Sequence, residues 1–318
     1  MDTNPNKPLV SVIMAAYNAE KYIGEAIESM QAQTYTNWEL IIADDAAKDA
    51  TGRIADDYAK RDPRIKVIHL SKNSGQAIAR NEAVKIAKGE YLAVLDADDL
   101  CLPDRFAKQV AFLDSHPNVA AVGSYAKVID ASGQNIGTKR KPENYERIRF
   151  KLLLQTQFIH STVMMRTKAF KTIGMYDNSF LYVEDYDLWS RFSERGFRLA
   201  NIPESLVKYR IQPTSVSAMS TTQKIQMMNV FPIYERNIRP YITLPPHRIQ
   251  RLVDFFNGRR QSAHYKIVAF IDFRKLVNAY IRTYSDAASR REACNIYRDI
   301  RKSVVISLLT FGILQTGF

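Results

Sequence analysis

Three acidic clusters stand where short apolar runs end: Asp44-Asp45 after Leu40-Ile41-Ile42-Ala43, Asp96-Ala97-Asp98-Asp99 after Tyr91-Leu92-Ala93-Val94-Leu95, and Glu184-Asp185. Carboxylates hold hard divalent cations through oxygen, accept hydrogen bonds from nucleobase N–H groups, and take protons as general bases. In an open α/β sheet, ligands bind in the crevice beyond the carboxyl ends of the strands, so loops directly after buried strands are where such chemistry belongs. One Asp-x-Asp after a strand reads as well as a turn or a helix N-cap. Three clusters in order along one chain point to a nucleotide and a metal ion.

The elements that must position these acids follow from periodicity. Leu9 to Ala15 reads as a buried strand, and Glu20 to Gln33 as a helix with Tyr22, Ile23, Ala26, Ile27 and Met30 on one face. The unit then repeats: strand Trp38 to Ala43, helix Ala50 to Lys60, strand Ile65 to Leu70, helix Ser74 to Ala87, strand Tyr91 to Leu95. Strands separated by single helices imply right-handed crossovers and a mostly parallel central sheet, an α/β fold. Pro103 opens a further helix that turns Phe106, Val110 and Leu113 inward, and Val119 to Val128 reads as a strand ending in the turn Asp130-Ala131-Ser132-Gly133. Beyond it the alternation stops. A segment from Asn144 to Tyr209 holds a helix, a strand at Ser161 to Met165 and a helix from about Glu184 to Arg195, and from Thr221 the pattern is helical throughout.

The chain has 318 residues, enough for one large domain or two smaller ones. Its formal net charge of +12 is confined to the last third: residues 1 to 205 carry 27 basic and 27 acidic residues, and residues 206 to 318 carry 18 and 6. A region this basic is drawn to phosphates of nucleic acid, anionic lipid or an acidic glycan. Cys101 and Cys294 stand far apart without partners at metal-ligand spacing, which suits free thiols in a reducing compartment. The polar amino end lacks the basic-then-apolar layout of a secretion signal, so the expected location is cytoplasmic. The uncharged run Ser303 to Phe318, 16 residues, is short for a membrane span. Peripheral attachment to the inner face of the cell membrane is compatible with all of this.

Val10 to Asn18, Glu39 to Asp45, Asn73-Ser74-Gly75 with Ala79-Arg80-Asn81, Gly89-Glu90-Tyr91 leading to Asp96-Ala97-Asp98-Asp99, and Glu184 to Trp189 together resemble glycosyltransferase family 2, over about residues 8 to 217. The resemblance implies a Rossmann-like GT-A nucleotide-diphospho-sugar transferase that inverts the anomeric carbon. It places the catalytic domain at 8–217, with a nucleotide-binding part at 8–130 and an acceptor-side part at 131–217, followed by a basic, aromatic-rich helical region at 218–318. Ala15, Tyr17, Asp45, Arg80, Asp96 and Asp98 would bind the donor nucleotide: Tyr17 stacks on the base, and Asp45 accepts the imide N–H that uracil offers. Asp98, with Asp96, would hold a divalent metal, Mn2+ or Mg2+, and Asp96 would also meet the ribose. Arg80 would pair with these acids or contact phosphate, a surface helix arginine being the equally weighted alternative. Asp185 matches the general base, its rival role being a helix N-terminal acid. His160, Glu184 and Trp189 fall on the acceptor side, His160 being alternatively a satisfied core histidine.

The implied partners are a UDP-sugar donor and a glycan or lipid-linked glycan acceptor, as in lipopolysaccharide, capsule or another surface polysaccharide. An anionic membrane surface and a second copy of the chain are further candidates, and no specific nucleic acid is expected. Two departures from the family pattern stand out. Ala46-Ala47 replaces the usual Gly-Ser type turn after the double Asp, with little consequence expected. Gln212 stands where a His near the metal or diphosphate is common, and an amide is a weaker ligand. Rival readings are a nucleotidyltransferase or dehydrogenase, which would need the Gly-rich phosphate loop that Ala15-Ala16-Tyr17-Asn18 lacks, a nucleic-acid binder through the basic region, and a non-catalytic sugar-nucleotide binder.

Overall fold

The computed structural model describes residues 7–211, 220–257, 259 and 262–315. Two units divide the chain: Met1–Glu143 with Gln157–Asn229, and Asn144–Thr156 with Val230–Phe318. In the first, β1 (Val10–Ala16) and β2 (Trp38–Asp44) are buried along nearly their whole length, as parallel strands covered by helices on both faces must be. β1 pairs with β2, β2 with β3 (Ile65–His69) and β1 with β4 (Tyr91–Val94), all parallel. Register aligns the chemistry. Ala16 lies opposite Asp44, Asp44 opposite His69, and Ile13 opposite Val94, so the loops that follow all leave the sheet at one edge. Between the strands run α1 (Ile23–Gln31), α2 (Thr51–Arg61) and α3 (Gln76–Ile86). α1 buries Ile23, Ala26, Ile27 and Met30, the face read from the sequence.

The sheet continues beyond the parallel half, in the order β3-β2-β1-β4-β8-β6-β9-β5, with β7 on β6. β5 is Leu100–Cys101, β6 Val119–Ile129, β7 Asn135–Lys139, β8 Met164–Arg166 and β9 Arg198–Arg210; α4 (Arg105–Ser115) buries Phe106, Val110 and Leu113, and the short α6 (Thr167–Thr172) follows β8. This half is mixed: β8 is antiparallel to both β4 and β6, β5 to β9 and β7 to β6, while β9 runs parallel to β6. The strand expected at Ser161 to Met165 begins later, because His160–Thr162 forms a 3-10 turn in which the Thr162 hydroxyl donates to the Ile159 carbonyl at 2.7 Å. β9 and β7 escaped the sequence reading. β9 carries Pro203-Glu204 at its middle, where the pairing to β6 skips from Ile202 to Ser205, and a bulge is one of the few places a strand tolerates proline.

Asn18, Ala46, Gly75 and Tyr182, all in or beside the loops of the functional edge, have backbones in the left-handed region. Gly75, at φ 92°, turns the chain into α3. Ala46, at φ 57°, adopts a conformation in which its Cβ costs about 1 kcal/mol or more, a cost that a glycine would not carry. Ala46→Gly is expected to raise stability by about 0.5 kcal/mol, relieved strain being partly offset by the entropy of a freer unfolded chain. A thermal melt that falls rather than rises in this variant removes the strain assignment.

The second unit is helical: α5 (Tyr145–Lys151), the later part of α8 (Ser220–Ile238), α9 (Pro246–Phe256), α10 (Ala263–Thr283) and α11 (Ala287–Gln315). Its aromatics pack on one another. Phe150 meets Tyr280 edge-on at 4.9 Å and Phe273 at 6.1 Å, and Tyr297 stacks on Phe270 at 5.4 Å. Arg149 lies over the Tyr284 ring at 3.7 Å and donates to the Tyr280 hydroxyl. Most of the described rings that alternate with arginines in the sequence are therefore buried or half-buried in this unit's own packing, Tyr265 being the exposed exception. No helix among the described residues is long and apolar enough to cross a membrane.

Candidate active site

At the carboxyl edge of the parallel strands, Asp45 accepts from the backbone N–H groups of Ser74 (2.7 Å) and Gly75 (2.8 Å), pinning the loop before α3 against the end of β2. Its neighbour Asp44 accepts from the Ala47 amide and pairs with His69, whose imidazole Asp44 and Asp56 hold above its ordinary pKa. Ala15 is half-buried at the end of β1, and Tyr17 follows with its ring 42% exposed, open to a stacking partner.

Arg80 on α3 joins the other acids. It is 2% exposed, and one guanidinium reaches Asp96 Oδ1 (2.7 Å), Glu184 Oε1 (2.8 Å) and Gln76 Oε1 (3.0 Å). Of the alternatives left by sequence, pairing with the acids is what the fold adopts. Ser161 donates to the other Asp96 oxygen at 2.9 Å. Burial works against ionisation of Asp96, but Arg80, reinforced by Ser161, keeps its carboxyl below the usual range. Deleting the guanidinium strands Glu184 and Asp96 without their counterion. Arg80→Met is expected to cost about 3 kcal/mol or more of stability in urea denaturation, and loss of less than about 1 kcal/mol overturns the assignment.

α7 (Glu184–Glu194) opens on the third cluster. Burial, and then the charge of Glu184 beside it, push the Asp185 carboxyl up to about 6, and its Oδ1 accepts from the Tyr186 amide. His160 packs edge-on to Tyr176, whose hydroxyl meets Nε2 at 3.2 Å. Burial, assisted by Arg80, pushes His160 down to about 3, so the ring is neutral throughout the physiological range.

The sequence model of glycosyl transferase family 2 matches residues 11–174 of this chain. The putative glycosyltransferase EpsE of Bacillus subtilis is 41% identical over 231 residues, 72% of this chain and 81% of EpsE. The chain belongs to glycosyltransferase family 2. A second relative, the putative teichuronic acid biosynthesis glycosyltransferase TuaG of Bacillus subtilis, is 33% identical over 213 residues, 67% of this chain and 82% of TuaG. Among solved structures, S. aureus TarS 1-349 in complex with UDP-GlcNAc superposes with a TM-score of 0.61 at 20% identity, covering 94% of this chain and 92% of that one. The fold of the glycosyltransferase is accordingly GT-A-like, a curled mixed sheet followed by helices.

For a divalent ion, the glycosyltransferase offers Asp96 and Asp98, hard oxygen donors of the kind Mn2+ and Mg2+ take. Among the described residues no group of three or more His, Cys, Asp or Glu side chains could hold a metal, so donor diphosphate and water would have to complete the shell. Gln212 lies outside the described residues.

Two of the expected acceptor residues are placed differently from the expectation. Trp189 is fully buried, packed on Phe158 at 5.1 Å and His160 at 5.8 Å, so it supports the site from beneath and faces no acceptor. Its position on the inner face of α7 decides this. Glu184 is committed to Arg80. Three residues that sequence reasoning gave no role also shape the glycosyltransferase site: Ser161, Tyr176 and Arg210. From β9, Arg210 donates its Nε to the Asp98 carbonyl (2.9 Å) and Nη2 to Glu25 (2.8 Å), while its amide donates to Asp99 Oδ1 (2.7 Å), fastening the acidic loop from behind. In the sequence Arg210 stands with Lys208 among the apolar residues of Leu206 to Ile211, with nothing local to set it apart.

Proposed function

We propose that the chain is an inverting transferase that moves a hexose or N-acetylhexosamine from a UDP-sugar to a hydroxyl of a growing surface polysaccharide. The observation that carries this reading is the Asp96–Arg80–Glu184 bridge: one guanidinium ties the acid expected at the nucleotide and metal to the residue preceding the expected base. In a single displacement the acceptor oxygen forms a bond to the anomeric carbon as the bond from that carbon to the diphosphate oxygen breaks. Asp185 takes the acceptor's proton, and UDP departs. Asp98 and Asp96 would hold a divalent ion, which when bound neutralises charge developing on the diphosphate. Tyr17 would stack on the base. Asp45, while holding the Ser74-Gly75 loop, retains acceptor capacity for an imide N–H, since each carboxylate oxygen has more than one lone-pair direction. Lipopolysaccharide, capsule and teichuronic-acid-like chains are acceptors of the proposed class, the last on the likeness to TuaG.

Incubation with UDP-glucose, UDP-galactose, UDP-GlcNAc and GDP-mannose, with and without MnCl2 or chelator, tests the reading through nucleotide release and product anomeric configuration. Metal-dependent release from one UDP-sugar with inversion is expected. Retention, preference for GDP-mannose, or binding without turnover of any donor in the presence of acceptor glycans overturns it.

A further inference from the structure

The excess charge of the second unit is organised on two helices. From 263 to 302, α10, α11 and the turn between them hold nine basic and four acidic residues. All four acids are taken by arginines from outside the two helices: Asp272 by Arg248, Asp286 by Arg149, and Glu292 and Asp299 by Arg147. Arg274, Lys275, Arg282, Arg290, Arg291, Arg298, Arg301 and Lys302 are all exposed, and among the described residues none of them pairs with a carboxylate.

Their spacing is regular. At about 3.6 residues per turn, Ile267, Ile271, Arg274, Lys275 and Arg282 fall within about a third of the circumference of α10, opposite the face that buries Phe273, Leu276 and Tyr280. Arg290, Arg291, Arg298, Arg301 and Lys302 occupy a similar arc of α11, opposite buried Ser289, Ala293 and Ile296. Ile267 and Ile271 are 45% and 47% exposed, one turn apart at the start of the basic stripe of α10.

We propose that this face of α10 and α11 docks on the anionic surface of a lipid bilayer, the cations meeting headgroup phosphates and the isoleucines entering the boundary of the acyl chains. Charge complementarity selects the partner: a second copy of the chain would set cation against cation, and an oligonucleotide offers the isoleucines nothing apolar to enter. The proposal is independent of the sugar chemistry.

Co-flotation of the full chain with vesicles of phosphatidylcholine alone and of phosphatidylcholine with phosphatidylglycerol, at low and high salt, tests it. Binding is expected to anionic vesicles only, and to weaken in salt. Each cation near such a surface is worth a factor of about 5, so Arg291→Gln, Arg298→Gln and Arg301→Gln together should weaken partitioning about 100-fold. Ile267→Ser with Ile271→Ser should weaken it about tenfold through lost apolar burial. Circular dichroism melting of each variant separates loss of the surface from loss of the fold. Equal recovery with neutral and anionic vesicles, no recovery with either, or folded variants that bind like the parent overturn the proposal. So does displacement by a single-stranded oligonucleotide of parent and isoleucine variant alike, which would mark a nucleic-acid surface.

Discussion

Asp98→Ala is expected to lower transfer at least about 10³-fold and to abolish the metal-dependent part of donor binding, because one carboxylate of a two-carboxylate site cannot be spared when diphosphate charge must be neutralised. Asp96 alone would leave the ion a single carboxylate, one whose charge Arg80 already shares. Titration of UDP-sugar into parent and variant, each with and without Mn2+, isolates the effect. The parent should bind more tightly with the ion and the variant equally with and without it. Activity that survives in the variant, or parent activity undiminished by exhaustive chelation, removes the metal from the reading. Because Arg210 holds the backbone of this loop from β9, the variant should keep its fold, with an unchanged thermal melt separating chemical loss from unfolding.

Asp185→Asn retains the shape of the carboxyl but cannot take a proton, and turnover is expected to fall by about 10²-fold to 10⁴-fold while donor affinity changes little. The pH profile adds a second readout. Burial and Glu184 push the Asp185 carboxyl up to about 6, and a base works only when deprotonated. On its acid side kcat/KM should therefore fall about tenfold per pH unit below about pH 6, reporting the free enzyme. His160, neutral across this range, contributes no limb of its own. Collapse of donor binding in Asp185→Asn would place the residue in the nucleotide site, and turnover within a few-fold of the parent would assign the base elsewhere.

The parallel half of the sheet was legible because it is built from local patterns. Strands buried on both faces read as unbroken apolar runs, the intervening helices carry a clear inward face, and the acids directly after β2 and β4 inherit their position from strand register alone. β9 was not legible, since Pro203-Glu204 interrupts its alternation at a bulge that only pairing with β6 makes tolerable. The strain at Ala46 likewise became visible only through its φ.

The amino-acid sequence by itself determined the family and the order of the motifs, and it set the acids that follow β2 and β4 at the edge of the sheet, because these depend on residue type and on spacing along the chain. Tertiary structure alone decided what those carboxylates hold. Arg80 bridges Asp96 and a residue 104 positions away, a pairing that exists only once α3 and α7 are brought to the same edge. It also sent Trp189 inward and packed Phe273 and Tyr280 inside the second unit, leaving the cations of α10 and α11 outside. Residue type fixes what a side chain can do. Which neighbour it meets is fixed by contacts between segments far apart in the chain, and no local periodicity encodes those.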